Sequence, residues 1–275
     1  MERVRVTQYL NLVDAVKLIQ DSQMIALGGM TLYRRPVGFV RELLRHENRP
    51  RNLTLMSFTS GIESDLLVGA GCVAKVRTCY FGLESFGLAP MFTEKANRSE
   101  IEVIEETEAS LVLGLRSQIA GVGFLPSTAW QGTDLPGLRP DVKTVSDPYS
   151  GETLTAFPAI SVDVAVIHAL EADAQGNVKI NNNLGIDLEL VYAAKTVIVT
   201  VERMVERVEK SLDGTVIPAP GASVIALAPG GALPTSCYPL YPLKGSAFFE
   251  YVESCNGGKF EVYLENFLKD APTSG

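Results

Sequence analysis

The amino-acid sequence predicts an α/β protein in which an open, mostly parallel sheet carries helices on both faces. Strand-like apolar runs alternate with segments of helical periodicity through most of the 275 residues, which is the pattern of such folds. The run at 162–169 is almost continuously apolar, as expected for a strand that is covered on both faces. Small residues follow several strands directly, and in a parallel sheet these positions share the edge where ligands bind.

The elements of the first half follow in order from periodicity and turn residues. Helical spacing predicts a helix at 10–19, and a buried strand at 24–27 then leads through a glycine turn into a helix opened by Pro36. Polar or small residues separate the elements that follow. We expect further strands at 53–57, 73–81 and 101–104, and further helices at 65–70, 91–98 and 110–120, the last capped by Thr107 or Ser110.

The second half begins with a segment from about 123 to 158 that is rich in Gly, Pro and Asp, and we expect a long loop there. The alternation then resumes, and no internal repeat is visible. Strands are expected at 162–169, 178–180, 195–201 and 224–228, a helix at 187–194, and an apolar helical face at 248–268. We expect residues 1–275 to form a single domain.

Composition excludes several classes of protein. Apolar residues make up 46% of the chain and charged residues 20%, so the chain can bury a sizeable core. The net charge is −8 and the 24 Lys and Arg residues form no basic run, which argues against a nucleic-acid partner. The apolar stretch at 156–170 is interrupted by Pro158, Asp163 and His168, so no segment is expected to span a membrane.

The cysteines and histidines indicate the compartment and argue against a common kind of metal site. The four cysteines show no Cys-x-x-Cys spacing, and the first residues lack the apolar core of a signal peptide. We therefore expect reduced thiols and a cytoplasmic protein. With His46 and His168 as the only histidines, a histidine-rich metal site is not expected, and no metal is predicted.

The turn at Gly28 and Gly29 has two interpretations. It follows a buried strand and precedes a helix, so its backbone N–H groups could bind an anion or a developing oxyanion. Alternatively, the two glycines only allow a tight turn between strand and helix. A second glycine pattern, at 69–74, resembles a dinucleotide-binding motif, but it precedes a predicted strand rather than a helix, which argues against that function.

Acidic residues cluster at one predicted strand end. Glu105, Glu106 and Glu108 could supply a general acid or base, or they could be the favoured acids of a helix N-terminus. Glu84 and Ser85 form a similar polar pair on a glycine-flanked loop. Trp130, in the predicted long loop, could cover a ligand or simply pack the loop down.

Several motifs in order along the chain resemble the A (alpha) subunit of class I coenzyme A transferases, closest to the glutaconate CoA-transferase type. Each motif alone is weak, and the ordered series is specific. The matching stretches are Ile25-Ala-Leu-Gly-Gly-Met30, Arg34-Arg35-Pro36, Leu67-Val-Gly-Ala-Gly71, Tyr80-Phe-Gly-Leu-Glu-Ser-Phe-Gly-Leu-Ala-Pro90, Gly123-Phe-Leu-Pro126, Val162-Asp-Val-Ala-Val-Ile-His168, Ala172-Asp-Ala-Gln-Gly-Asn177, Ala228-Pro-Gly-Gly-Ala-Leu-Pro234 and Cys237-Tyr238.

The resemblance implies the open α/β fold of CoA-transferases and an obligate B (beta) subunit, usually in an α2β2 assembly. The family reaction moves CoA from an acyl-CoA to a carboxylic acid through a glutamyl-CoA intermediate, with no tightly bound cofactor. The nucleophilic glutamate lies on the B subunit in a Ser-Glu-Asn-Gly-like setting. This chain has no such run, since Glu265-Asn266-Phe267 lacks the glycine and lies in a helical pattern.

The resemblance also implies which residues of this chain face the substrate. The backbone of Gly28, Gly29 and Met30 would line the acyl-binding cleft. Arg34 or Arg35 could pair with a substrate dicarboxylate, or they could be a surface pair beside Pro36. The acyl or acceptor pocket would be shaped by residues from neighbouring strand ends, namely Ser57, Ser60, Gly61, Glu84, Ser85 and Gln131.

Two relatives of this family keep the scaffold and catalyse other reactions, so the reaction is not fixed by the fold. One is a ring-opening hydrolase of a cyclic acyl-CoA, in which the A chain supplies a glutamate that aligns with Glu108 here. The other is a glutaconyl-type acyl-CoA decarboxylase whose B chain lacks the transferase glutamate. A non-enzymatic sugar-phosphate sensor of similar fold is disfavoured, because no basic helix-turn-helix is present. The acyl group stays open.

Overall fold

A ten-stranded sheet forms the centre of the molecule, and Val178–Asn181 is the one strand among the described residues that runs opposite to the others. The computed structural model describes residues 6–269. Within that range the strands are β1 (Gln8–Leu10), β2 (Met24–Leu27), β3 (Leu53–Ser60), β4 (Val73–Phe81), β5 (Glu102–Glu105), β6 (Phe124–Ser127), β7 (Lys143–Ser146), β8 (Thr153–Pro158), β9 (Val162–Asp173), β10 (Val178–Asn181), β11 (Ala194–Val205), β12 (Gly214–Ile217) and β13 (Val224–Leu227).

The strand order places β2 at the topological switch point of the sheet. The order is β1-β13-β11-β9-β2-β3-β4-β5. Strand β10 pairs antiparallel with β9, and β12 pairs antiparallel with β10. From β2 the chain moves outward through β3, β4 and β5 in one direction, and later elements fill the other side from β9. The chain connections therefore run in opposite directions from β2 and β9, and in open α/β sheets the carboxyl edge at such a point is the usual place for a ligand.

Helices cover both faces of this sheet. In the described residues they are α1 (Leu12–Val16), α2 (Val37–Arg45), α3 (Ile62–Gly69), α4 (Pro90–Asn97), α5 (Glu108–Ala120), α6 (Leu135–Leu138), α7 (Asp187–Ala193), α8 (Gly245–Asn256) and α9 (Phe260–Lys269). A single 3-10 turn, Glu84–Phe86, follows β4. No helix of this part of the chain combines the length and the apolar character needed to cross a membrane.

Two apolar cores lie on opposite faces of the sheet, because successive strand residues point in opposite directions. Ile25 and Leu27 pack into the core that includes α2, α3, α8 and α9, whereas Ala26 packs into the core that includes α5 and α7. Residues of β3, β9 and β11 divide between the cores in the same way. The predicted fold class, an open and mostly parallel sheet with helices on both faces, is confirmed.

The predicted helix at 10–19 is much shorter in the structure. Residues Gln8–Leu10 instead form an edge strand paired with β13, and α1 begins only after Asn11. The Asn11 side chain accepts a hydrogen bond of 2.8 Å from the Asp14 backbone N–H, which fixes the helix start. The strand pairing joins residues more than 200 positions apart, so local periodicity could not reveal it.

The predicted long loop at 123–158 is wrong. This segment forms a three-stranded antiparallel sheet, in the order β6-β8-β7, together with the short helix α6. Phe157 from β8 is buried and packs edge-on against Trp130, with ring centroids 5.0 Å apart. The strands are short and two of them contain proline, so the alternation that would indicate a strand was not visible in the sequence.

The apolar helical face at 248–268 is divided into two helices. Helix α8 ends before Gly257, and Gly258 has a φ of +70°, a conformation that glycine adopts readily. Helix α9 then resumes at Phe260 and returns toward α2. The apolar face was therefore predicted correctly, and the break between the two helices was missed.

Candidate active site

The glycine turn lies at the switch point, directly after β2. Gly28 continues the sheet, because its N–H donates to the Val166 carbonyl of β9 at 2.9 Å. The Gly29 N–H donates to Asp187 Oδ1 at 2.9 Å, and the Met30 N–H donates to the Tyr33 carbonyl at 2.9 Å. The expectation that this turn leaves its N–H groups free for an oxyanion is therefore wrong for all three residues.

Close packing explains why both turn residues are glycine. A Cβ atom on Gly28 would lie 2.4 Å from Asp187 Oδ1, so only glycine lets this carboxylate approach the turn. Gly29 has a φ of +78°, and a Cβ there would lie 2.5 Å from the Arg34 carbonyl oxygen. The tight-turn interpretation of the two glycines is the one that the geometry supports.

Arg34 is fully buried behind the turn. Its guanidinium forms an ion pair with Asp187 and donates hydrogen bonds to Asn181 Oδ1 at 3.0 Å, to the His168 carbonyl at 2.7 Å and to the Asn183 carbonyl at 2.8 Å. The surface interpretation of Arg34 is therefore wrong, because the side chain is inaccessible to solvent. It is held by protein acceptors on every side that the structure describes.

Arg35 forms a second buried ion pair on the other side of the turn. Its guanidinium lies 2.6 Å from Glu63 Oε1 of α3, and both side chains are inaccessible to solvent. The same group donates to the Gly29 carbonyl at 3.0 Å and to Ser57 Oγ at 2.9 Å. The Ser57 hydroxyl, predicted to face a pocket, is thus buried and engaged with Arg35.

The other predicted pocket residues divide into buried and exposed groups. Ser60 is buried, with its Oγ 3.4 Å from Thr78 Oγ1, and Gly61 packs so closely on the Thr31 carbonyl that a Cβ would lie 2.2 Å from that oxygen. Met30 is partly exposed, and both Glu84 and Ser85 are exposed on the 3-10 turn after β4. The exposed group is the one able to touch a ligand.

Trp130 and Gln131 lie on the turn that follows β6, beside the three-stranded sheet. The Gln131 side chain donates to the Thr153 carbonyl of β8 and helps line an open cavity of about 340 Å³. Trp130 is buried, and its indole N–H donates to Thr107 Oγ1 at 2.9 Å. Of the two alternatives for Trp130, the structure selects packing of the segment.

The acidic cluster after β5 contains residues of two kinds. Glu106 is buried between Arg139, at 2.8 Å, and Arg77, at 3.4 Å. Glu105 and Glu108 are exposed, and Glu108 is the first residue of α5. Both proposed caps contribute, because Thr107 is the N-cap and Ser110 completes a reciprocal capping box. Glu108 thus presents a carboxylate at a helix N-terminus, where negative charge is favoured.

His168 lies in a buried hydrogen-bond network. Its Nδ1 is 2.8 Å from Thr200 Oγ1 and its Nε2 is 2.6 Å from Glu202 Oε1. Burial lowers the pKa of His168. His168, Glu202 and Cys237 are residue types that can bind a metal ion, and their potential ligand atoms lie within 4.8 Å of one another. Both Glu202 oxygens, however, already accept hydrogen bonds from His168, Tyr241 or Gly230. His168 is therefore a buried core residue whose two ring nitrogens both have hydrogen-bond partners.

Sequence reasoning missed the carboxylates that hold the turn. Asp187 starts α7 and Glu63 lies in α3, and both are fully buried. Each looked like an ordinary acid near a helix N-terminus. A usable signal was the pair Arg34 and Arg35 within an apolar context, because two arginines there need buried acceptors. Nothing in the local sequence identified which acids those were.

Comparison with known proteins identifies the family. Residues 9–226 match the family model described as Coenzyme A transferase. The chain is 32% identical over 238 residues to the A chain of 3-oxoadipate CoA-transferase from Pseudomonas knackmussii, covering 85% of this chain and 83% of the relative. It is 31% identical over 255 residues to the A chain of glutaconate CoA-transferase from Acidaminococcus fermentans, covering 86% and 79%. The chain belongs to the coenzyme A transferase family. Within it, the chain resembles the subunits of the A type.

Solved structures and one further relative show how widely this scaffold is used. The crystal structure of glutaconate CoA-transferase superimposes with a TM-score of 0.85 at 27% identity, covering 96% of this chain and 89% of that one. The decarboxylase AibA/AibB gives 0.89 at 30% identity, covering 97% and 100%. The cholesterol ring-cleaving hydrolase IpdA subunit of Rhodococcus jostii is 34% identical over 214 residues, covering 73% and 69%. Similar scaffolds therefore support several reactions.

Proposed function

We propose that this chain is the A subunit of a heteromeric CoA-transferase that moves CoA from an acyl-CoA to a carboxylic acid. The observation that carries the proposal is similarity over most of the chain to the A chains of two named CoA-transferases. The CoA thioester is the substrate, and no tightly bound cofactor is required. The glutamyl-CoA intermediate forms on a glutamate of the partner B subunit.

The carboxylates around the glycine turn support a nucleophile from the partner. Asp187 and Glu63 are the acids that contact the turn and its two arginines in the described residues, and both are buried in ion pairs. An attacking carboxylate must reach the thioester carbon, and neither of these side chains is accessible. Glu265 lies on the helix α9, so it does not form the loop expected of the nucleophile.

Exposed aromatic and aliphatic side chains at the carboxyl edge support a covering partner. Tyr33 lies on the loop after β2, and its backbone pairs with Ser236, close to exposed Tyr238 and Leu240. Exposed apolar side chains grouped at one edge are typical of protein interfaces. The B subunit would cover this edge in an α2β2 assembly. A cytoplasmic location is supported by four cysteines without disulfide partners.

The site residues take two roles in this proposal. Met30, Glu84 and Ser85 contact the acyl or acceptor group, since their side chains are accessible near the strand ends, and Gln131 contributes from the turn after β6. The buried residues shape the floor of the cleft without touching substrate, and these are Gly28, Gly29, Arg34, Ser57, Ser60 and Gly61.

Copurification followed by a transfer assay tests the proposed function. The chain is isolated from its native extract, the protein that copurifies in equal amount is sequenced, and the complex is assayed with acyl-CoA donors and carboxylic acid acceptors. A homologous partner with a Ser-Glu-Asn-Gly-like glutamate and acceptor-dependent formation of a new acyl-CoA are expected. A complex that consumes acyl-CoA equally well without an acceptor would contradict CoA transfer.

Hydrolysis or decarboxylation is the second candidate, and the exposed Glu108 is the observation that favours it. Glu106, two positions earlier, is buried in an ion pair with Arg139, whereas Glu108 is exposed at the start of α5. Glu108→Gln is compared with Glu105→Gln, which changes an exposed glutamate three positions earlier. In a transferase both variants keep acceptor-dependent turnover. Loss of turnover in Glu108→Gln alone would support the second candidate.

A further inference from the structure

We propose that Asp187 and Arg35 are positioning residues that hold the Gly29 peptide groups from both sides and thereby fix the glycine turn for catalysis. The inference rests on the proposed function, because it concerns the same site. Asp187 Oδ1 accepts the Gly29 N–H at 2.9 Å, and the Arg35 guanidinium donates to the Gly29 carbonyl at 3.0 Å. Both hydrogen bonds are charge-assisted, which makes them stronger than neutral ones.

Each of these two charges is itself fixed by a buried network. Asp187 pairs with Arg34, which in turn donates to acceptors in β9, at the end of β10 and just after β10. Arg35 pairs with Glu63 and also donates to Ser57. The side chains of both ion pairs are inaccessible to solvent, so the pairs are poorly screened and moving one charge away from its partner is unfavourable.

The two pairs connect the turn to opposite sides of the switch point. Glu63 lies in α3, which follows β3 on one side, and Asp187 starts α7 beyond β9 and β10 on the other. Gly29 is therefore held between two halves of the sheet. Its φ of +78° sets the direction in which the chain continues to Met30, the partly exposed residue of the turn.

This arrangement predicts an effect on turnover rather than on substrate affinity. A displacement of about 1 Å in a group that lines the reacting centre lowers the rate about 100-fold. In Asp187→Asn, the single amide oxygen can accept from Gly29 or from Arg34 but not from both. The turn then loses one of its two anchors, while the surfaces that bind the rest of the CoA thioester are unchanged.

The experiment uses the complex of this chain with its copurifying partner. For Asp187→Asn we expect kcat to fall about 100-fold, while KM for the acyl-CoA changes by less than about threefold, because the lost interaction acts in the transition state. Arg35→Lys keeps the charge facing Glu63 but loses the planar fork that reaches three acceptors. Arg35→Lys should also lower kcat with little change in KM, and it serves as the test variant if Asp187→Asn does not assemble with the partner.

Asp173→Asn is the matched control, because it makes the same change in another buried carboxylate. Asp173 accepts backbone N–H groups from Gln175, Asn177 and Val208 at the end of β9. It lies seven residues beyond Val166, or about 23 Å along the strand. We expect a lower Tm with kcat within about twofold of wild type, since such effects on stability do not reach the turn.

Three outcomes separate the possibilities. A large loss of kcat in Asp187→Asn, or in Arg35→Lys if Asp187→Asn does not assemble, supports positioning when it is absent from Asp173→Asn. Wild-type kcat in the assembled Asp187→Asn complex, or an equal loss in all variants, would overturn it, because the effect would then be absent or only one of stability. If the wild-type complex cleaves acyl-CoA without transferring CoA, the proposed function fails, and the same kcat comparison on that cleavage still decides the positioning role.

Discussion

Single residues at the switch point are determined by buried charge. Gly28 is glycine because Asp187 occupies the space that a side chain would take. Gly29 is glycine because its φ is positive and a Cβ atom would overlap the Arg34 carbonyl oxygen. Arg34 and Arg35 are adjacent in sequence but point to different acids, one in α7 and one in α3. Removing one partner of such a pair leaves an unpaired buried charge, which costs about 3–5 kcal/mol. The residues that look like ligand contacts are therefore the framework of the site.

Gly28→Ala should destabilise the protein by about 1–3 kcal/mol, because the added methyl group overpacks the contact with Asp187. Urea unfolding of the purified chain measures this difference. Gly123→Ala is the control, since a Cβ there meets nothing within 4 Å. Equal stability of Gly28→Ala and wild type would show that the carboxylate can move away from the turn.

Acid should destabilise the protein through His168. Burial lowers the pKa of His168 in the folded state, whereas the unfolded chain titrates near the usual value of about 6.5. The unfolded state thus binds the proton more readily, so the contribution to stability is present above about pH 6.5 and is lost as the pH falls.

Urea unfolding between about pH 7.5 and about pH 5.5 measures this loss, as a fall in the free energy of unfolding. His168→Gln should flatten the dependence, since it removes the titrating imidazole. A variant with the wild-type slope would assign the effect to other groups.

At the scale of elements, the junction between β5 and α5 ties the small sheet to the large one. Thr107 caps α5 and also accepts the indole N–H of Trp130 at 2.9 Å. Arg139 follows α6 and reaches back to the Glu105 carbonyl and the Glu106 carboxylate, both at 2.8 Å. The three-stranded sheet is thereby fastened beside the exposed Glu108.

Thr107→Ala should lower the free energy of unfolding by about 2 kcal/mol, because it removes a helix cap and also leaves the buried Trp130 N–H without its acceptor. Thermal unfolding measures the change in Tm. Asn11→Ala removes the cap of the short surface helix α1 and nothing buried, so its effect should be clearly smaller. Equal effects would mean that the indole contact contributes nothing.

At the scale of the whole molecule, the carboxyl edge combines a buried, rigid turn with exposed apolar side chains. Tyr238 is 73% exposed, and Tyr33 and Leu240 are also accessible. The N–H groups of Gly28, Gly29 and Met30 and the Gly29 carbonyl are paired within this chain. The exposed side chains need a partner to remove them from water.

Tyr238→Asp should weaken binding of the B subunit by about tenfold or more, since exposed aromatic side chains are frequent anchors of interfaces. Titration of one purified subunit with the other measures the Kd. Tyr149→Asp is the control, because Tyr149 is 98% exposed on the turn between β7 and β8 and is not part of the carboxyl edge. Unchanged affinity in Tyr238→Asp would place the B subunit elsewhere.

Prediction from sequence succeeded where the signal is local and periodic. The apolar strand at Met24–Leu27, the first eight residues of the strand Val162–Asp173 and the cap of α5 were recognisable from a few consecutive residues. It failed where partners lie far apart in the chain. The edge strand Gln8–Leu10 needs β13, and the strands at 123–158 need each other, so neither could be recognised from its own residues.

The sequence by itself determined the fold class, the family and the position of the glycine turn, because periodicity and ordered motifs are properties of the chain alone. Only the tertiary structure decided what the turn does with its polar groups. Its N–H groups are occupied, and Arg34 and Arg35 are buried against acids more than 20 positions away. A charge buried in a medium of low dielectric must find a partner, and which partner it finds depends on how the strands are ordered in space.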